Sequence, residues 1–240
     1  MSFDRFDGKV AVLTGVGRPG QVGEVVARAF AERGATVALL DLDADAVRAR
    51  AAELVADGLK ASAHPCDLSS ADDALRAAGE VARSVSRDID ALVNLAGGFG
   101  MSGPIDESDP AVLQKMLTIN LLTAYNASRA FVPMLRVRSG AAVYFASAAV
   151  LPGGGSLASM SAYGAAKAGV VALMRAVADE GRDSGVRANA VAPTAIRTAA
   201  NLRDMGDKES YVEREEVAET VLFLCSDAAR PISGQVIRLG

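Results

Sequence analysis

A chain of 240 residues, 50% of them apolar and 22% charged, is long enough to bury one substantial core, and α/β units of this size often stay single, here expected over 1–240. The 25 basic and 29 acidic side chains are mixed throughout, for a net charge of -4, which leaves no basic stripe for nucleic acid and no basic amphipathic face for a membrane surface. No run approaches the roughly 18 apolar residues of a membrane span, and Asp4 and Asp7 precede the first apolar stretch, so the sequence predicts a soluble, unexported, cytoplasmic protein.

In chain order, the first β-rich run is KVAVLTG (9–15), which empties into TGVGRPGQVG before a helical pattern over 23–33. A second strand, TVALLDLD (36–43), carries Asp41 at its end, ahead of a helix over 43–57. A weaker strand, KASAHPCD (60–67), ends at Asp67 and is followed by a helix over 70–86. DALVNLAGG (90–98) reads as the fourth strand, with a long helix over 110–138. AAVYFAS (141–147) ends at Ser147 and leads to a helix over 159–183. VRANAVAPT (186–194) is the sixth strand, 195–212 is polar and charged and reads as a loop over the mouth of the sheet, and a helix over 213–226 precedes GQVIRL (234–239). The helical stretches are rich in Ala, Leu, Val, Glu and Arg at helical spacing. Strand and helix alternating in this way predict a parallel α/β sheet with helices on both faces. Cys66 and Cys225 lie far apart without C-x-x-C spacing, so they read as free, buried thiols in a reducing compartment, and no metal site is expected.

In open α/β sheets ligands bind outside the carboxyl ends of the strands, and the special residues of this chain gather at those ends. Gly15, Gly17, Gly20 and Gly23 crowd the first turn, where missing side chains let backbone N–H groups approach a pyrophosphate. Asp41 is placed to accept hydrogen bonds from an adenosine ribose, or to serve the N-cap region of the helix that starts near Asp43. Arg18 reads as a phosphate contact, and the lone His64 as a strand-end or surface residue. Tyr163 and Lys167 stand four apart in SAYGAAKAGV, on one helix face among small neighbours rather than along a solvated polar edge. A phenol titrates near 10, so a base near neutrality needs a cation close by, which Lys167 supplies.

These motifs, with Asp67-Leu68, NLAG (94–97), Asn120 in TINLLTAY, Ser147 and NAVAPT (189–194), resemble the short-chain dehydrogenase/reductase family over essentially the whole chain. The resemblance implies a Rossmann-type doubly wound parallel sheet of about seven strands. It also implies hydride transfer between a nicotinamide cofactor and a carbonyl or secondary alcohol. By the same resemblance Tyr163 gives or takes the proton at the substrate oxygen, and Ser147 hydrogen-bonds that oxygen. Lys167 holds the nicotinamide ribose and lowers the tyrosine's pKa, and Asn120 positions a water behind the lysine. The implied cofactor contacts are Gly15, Gly17, Arg18, Gly20, Val22, Gly23, Asp41, Leu42, Asp67, Leu68, Asn94, Ala96, Gly97, Tyr163, Lys167, Pro193, Thr194, Ile196 and Thr198, with Asn94 bracing the sheet. Asp41 favours NAD, and Arg18 keeps NADP as the alternative.

The glycine loop is two residues longer than the usual family spacing, as in the enoyl-thioester reductases, which IRTAA (196–200) also resembles. Their tyrosine and lysine are spaced more widely than Tyr163 and Lys167, which favours carbonyl over C=C chemistry. TAANLRDM resembles the dihydropteridine reductase branch, which lacks the serine present here as Ser147. Thr194 replaces the customary glycine, and the short stretch from Thr198 to Val212 predicts an open pocket. A non-catalytic nucleotide-sensing scaffold is the competing class, yet all four catalytic positions are present. The family's tetramers, and the apolar residues Leu113, Met116, Leu117, Leu121, Val170, Val171, Leu173 and Met174, predict a homo-oligomer, tetramer or dimer, acting on a small-molecule substrate.

Overall fold

Seven short runs of Val, Leu and Ala pair in a single all-parallel sheet, in the computed structural model that describes residues 5–207 and 210–240. The strands are β1 (Val10–Thr14), β2 (Thr36–Asp41), β3 (Ala61–Pro65), β4 (Ala91–Asn94), β5 (Ala141–Phe145), β6 (Arg187–Pro193) and β7 (Val236–Leu239), in the order β3-β2-β1-β4-β5-β6-β7. The registers run Leu13 against Leu39 and Val93, and Val143 against Asn189. Successive residues of a strand point to opposite faces, so central strands that are covered twice must be apolar throughout. One face, with Val12, Leu40, Leu92 and Tyr144, packs on α3 (Ala71–Ser84), α5 (Thr123–Arg136) and α6 (Ser161–Glu180). The other, with Leu13, Leu39, Val93 and Val143, packs on α1 (Val22–Glu32), α2 (Ala44–Ala56) and α8 (Arg214–Cys225). The doubly wound α/β architecture expected from the sequence is therefore present.

Two stretches differ from expectation. The long helix over 110–138 is divided: α4 (Pro110–Met116) passes into a π-helical turn, Leu117–Leu122, before α5. The Asn120 side chain donates to the Met116 carbonyl at 3.1 Å, taking an acceptor from the i→i+4 ladder, and a widened turn results. The expected loop over 195–212 contains α7 (Ala199–Met205) and an isolated parallel bridge between Ile196 and Val212. Thr198 Oγ1 caps α7 by accepting from Asn201 N at 3.2 Å, and Gly206, at φ +73°, ends it.

Three smaller expectations change as well. His64 lies at the end of β3, one residue before Pro65, but it is buried rather than on the surface, and its Nε2 pairs with Ser62 Oγ at 2.9 Å. Burial lowers its pKa. Asp43, not Asp41, caps α2, accepting from Asp45 N and Ala46 N. Of the apolar residues expected to need a partner copy, Met116, Val170, Val171 and Met174 are already buried within the chain. Cys66 and Cys225 are free and buried, as expected. Among the described residues no helix is long and apolar enough to cross a membrane.

Candidate active site

The strand order reverses between β1 and β4, which opens a crevice beyond their carboxyl ends, where such sheets bind ligands. Thr14 closes β1 and holds this crevice: its hydroxyl accepts from Leu95 N at 3.1 Å and Ala96 N at 3.0 Å, ending β4 at Asn94. Asn94 therefore does not brace the turn by its side chain. Its Nδ2 and Oδ1 are buried and without a hydrogen-bond partner. Thr14 was missing from the residues singled out in the sequence, although the turn it occupies was not. Replacing it with valine strands two backbone donors and is expected to cost about 1–3 kcal/mol of stability, whereas serine restores it. Chemical denaturation of the two variants tests this, and equal midpoints for valine and wild type would exclude the role.

The glycine loop approaches other backbone closely. A Cβ on Gly15, which lies at φ +69°, would stand 2.7 Å from the Ala96 backbone, and one on Gly23 only 2.4 Å from the Gly15 carbonyl. Gly17 N donates to Asp41 Oδ2 at 2.8 Å, while Asp43 N reaches Oδ1 at 3.1 Å, so Asp41 ties the loop to the end of β2. Gly20 N donates to Glu24 Oε2 at 2.5 Å, and Arg50, at 3.1 Å, and Arg214, at 3.7 Å, flank that carboxylate. Glu24, in the first turn of α1, was also overlooked. Val22 is buried at the start of α1, Arg18 is exposed, and Leu42 projects into solvent beside Asp41. At the next strand end Asp67 accepts from Ser69 N at 2.8 Å, and Leu68 is buried in the core.

Between β4 and α6 the four candidate catalytic side chains converge. Asn120 Oδ1 accepts from Gly98 N at 3.1 Å and its Nδ2 donates to Gly98 O at 3.0 Å, which pins the π turn to the end of β4. A Cβ on Gly97 would lie 2.7 Å from Asn120 Oδ1 and 3.6 Å from Lys167 Nζ. Lys167 Nζ donates to Phe145 O at 2.8 Å and lies 5.8 Å from the Tyr163 ring centroid. Burial lowers its pKa to about 8. Burial also raises the Tyr163 phenol above its ordinary value, and the hydrogen bond from Ser147 pulls the other way. The Tyr163 phenol thus stands above its ordinary value rather than below it as expected, and the pull that opposes burial comes from Ser147, not from Lys167. Tyr144, fully buried and bonded to Ser128 Oγ at 2.7 Å, is a structural contrast, with burial pushing its phenol up to about 12.

The mouth is bordered by α7. Ala199 N donates to Gly20 O at 3.0 Å, which fastens this helix to the glycine loop. Tyr211 OH donates to Gly206 O at 2.7 Å, and Arg197, bonded to Glu213 at 2.7 Å, stacks on the Tyr211 ring. Pro193 ends β6, Thr194 beyond it is exposed, and Ile196 and Thr198 are spent on the bridge and the cap. Phe99 sets its ring edge-on to Tyr163 with centroids 5.1 Å apart.

Known proteins share this arrangement. The family model described as Enoyl-(Acyl carrier protein) reductase matches residues 15–239. A D-threitol dehydrogenase of Mycolicibacterium smegmatis is 34% identical, covering 98% of this chain and 92% of its own. A 7alpha-hydroxysteroid dehydrogenase of Escherichia coli is 30% identical, over 97% and 93%. A solved 7 alpha-hydroxysteroid dehydrogenase, complexed with NADH and 7-oxo glycochenodeoxycholic acid, superposes with a TM-score of 0.87 at 29% identity, over 98% and 94% of the two chains. With its fold, its strand-end motifs and these likenesses spanning nearly its full length, the chain belongs to the short-chain dehydrogenase/reductase family.

Proposed function

We propose that this oxidoreductase, one nucleotide-binding unit over 1–240, moves hydride between a nicotinamide dinucleotide and the carbonyl or carbinol carbon of a small molecule. The observation that carries the reading is the convergence of Tyr163, Ser147, Lys167 and Asn120 beside the glycine cradle. The residues fit such a cofactor: the cradle admits no Cβ at Gly15 or Gly23, and Asn94 keeps two buried polar atoms unpaired next to it. When bound, the nicotinamide supplies or accepts the hydride. In reduction the Tyr163 phenol donates a proton to the substrate oxygen while Ser147 Oγ hydrogen-bonds the same atom. In oxidation the phenolate accepts it, so oxidation should rise with pH and reduction should not. Lys167, whose Nζ donates to Phe145 O at 2.8 Å, would hold the nicotinamide ribose. Asn120 has its side chain committed to Gly98 and Met116, so its part in a relay runs through the backbone of the π turn.

Asp41, half-buried at the end of β2, supports NAD over NADP. A 2′-phosphate beside it meets a like charge worth up to ~4 kcal/mol at 4 Å in an effective dielectric near 20. Titration should show tighter binding of NADH than of NADPH, with the gap narrowing in Asp41→Asn, and the opposite order in the unmodified protein would reject NAD. The exposed Leu113, Leu122 and Tyr125 on α4, the π turn and α5 support self-association as a dimer or tetramer in the cytoplasm, and a monomeric mass by light scattering would contradict it. Assays with ketones and with an enoyl thioester, following reduced-nicotinamide absorbance, test the reaction class. Turnover of the thioester alone would move the assignment to C=C reduction, and turnover of nothing with cofactor bound would favour a scaffold.

A further inference from the structure

We infer that the substrate of this site is a ketone or secondary alcohol carried on an apolar ring system, with Phe99 as the residue that selects it. The inference rests on the proposed hydride transfer, since Tyr163 marks where the reacting oxygen sits. Two segments wall that point. One follows β4 and carries Phe99, whose ring meets the edge of Tyr163. The other precedes α6 and carries Leu157, packed so that a Cβ on Gly164, next to Tyr163, would stand 3.0 Å from it.

The two segments are joined to one another. Ser102 N donates to Ser159 O at 2.8 Å, and Ser102 Oγ lies 3.1 Å from Ser161 Oγ. These bonds turn the hydroxyls of Ser102 and Ser161 toward each other, while Ser156, which is exposed, accepts from Ala158 N at 3.0 Å. The large side chains that the wall leaves to solvent are apolar: Phe99 is 60% exposed, Met101 57% and Leu157 39%. Neither 98–105 nor 151–163 contains a single Asp, Glu, Lys, Arg or His. Across the mouth the exposed Leu202 and Met205 of α7 add apolar surface, while Arg197 is held by Glu213 and Arg203 by Asp204.

A polyol brings many hydroxyls, and burying them without partners is unfavourable. A carboxylate or sulfonate needs a cation; neither loop contains one, and Arg238, which reaches the second loop, is bonded to Gly153 O and Gly240 O, each at 3.2 Å. An alicyclic body loses only apolar surface to apolar surface, the favourable case. The relatives described above are named for substrates as different as a tetritol and a steroid, so likeness alone does not choose between these classes. The side chains around Tyr163 do.

The experiment compares 1-decalone, a fused bicyclic ketone, with erythrulose, a four-carbon polyol ketone, using full-length wild type, Phe99→Ser and Phe99→Leu with reduced nicotinamide. Binding of decalol to the cofactor-free protein is measured alongside by calorimetry. The expected result is a kcat/KM for decalone exceeding that for erythrulose by at least about tenfold, shrinking in Phe99→Ser mainly through KM and largely restored in Phe99→Leu. Equal or reversed preference, or a ratio that Phe99→Ser leaves unmoved, overturns the inference while leaving hydride transfer intact. Decalol binding that depends on Phe99 without turnover of either ketone supports the wall and counts against the proposed reaction. Neither binding nor turnover refutes both.

Discussion

Replacing Tyr163 with phenylalanine is expected to lower turnover by about 10²–10⁴-fold while cofactor affinity barely changes. The substitution keeps the ring, and with it the edge contact to Phe99, but removes the one phenol that stands beside Ser147. In the proposed function the glycine loop, Asp41 and Lys167 hold the dinucleotide, so loss of the Tyr163 hydroxyl alone should leave that grip in place. The loss can exceed the acid–base range if the hydroxyl also orients the carbonyl. Tyr144→Phe is the control, because that phenol is buried against Ser128 of α5 and should affect stability alone. Near-normal rates in Tyr163→Phe, measured with saturating cofactor, would mean that Tyr163 and Lys167 form only a helix face.

The second large effect concerns Lys167, and it has two readouts. Lys167→Met should weaken cofactor binding as well as turnover, which separates its task from that of Tyr163. In the cofactor-free protein it should also change how stability depends on pH. Burial brings the lysine from 10.5 to about 8, so keeping it protonated costs the folded state about 3 kcal/mol. Below pH 8 the folded and unfolded chains both hold the proton and the full cost applies. Between about 8 and 10.5 the unfolded chain binds the proton that the folded chain has released, so stability rises with pH. Above the unfolded value neither is charged and the cost is gone. Denaturation of wild type and Lys167→Met across this range should therefore show wild type gaining on the variant, and parallel curves would rule out a buried, destabilised ammonium. The pH-independent difference between them includes the lost bond to Phe145 O and is not part of the test.

The sequence was most informative where one local signal served one purpose. The strand runs are apolar because they are covered twice, and the special residues at their ends are conspicuous against that background, so the sheet and the grouping of Gly15, Asp41, Ser147, Tyr163 and Lys167 were readable. Asn120 was found by its motif, but its mode of action was not. A π turn adds a residue to one helical turn without disturbing which residues are apolar, so periodicity over 110–138 read straight through it. The short α7 was hidden by polar composition, although Thr198 before it and Gly206 after it are the start and stop signals such a helix carries. Phe99 and Ser102 belong to no motif, since their importance comes from loops far apart in the chain meeting beside Tyr163. The direction of the Tyr163 pKa was likewise beyond the sequence, which shows a lysine one helical turn away but not the burial that dominates both groups.

The two buried cysteines give the fold a means of reporting its own opening. Cys66 follows the edge strand β3 and Cys225 ends α8, and burial raises both thiols to about 12, so neither supplies appreciable thiolate near neutral pH. Alkylation then has to wait for local exposure, and its rate at each position measures the fraction of time that part of the molecule spends open. Because one thiol lies beside the β3 edge and the other ends α8 near β6, the pair distinguishes fraying of the β3 edge from loosening of the opposite half of the sheet.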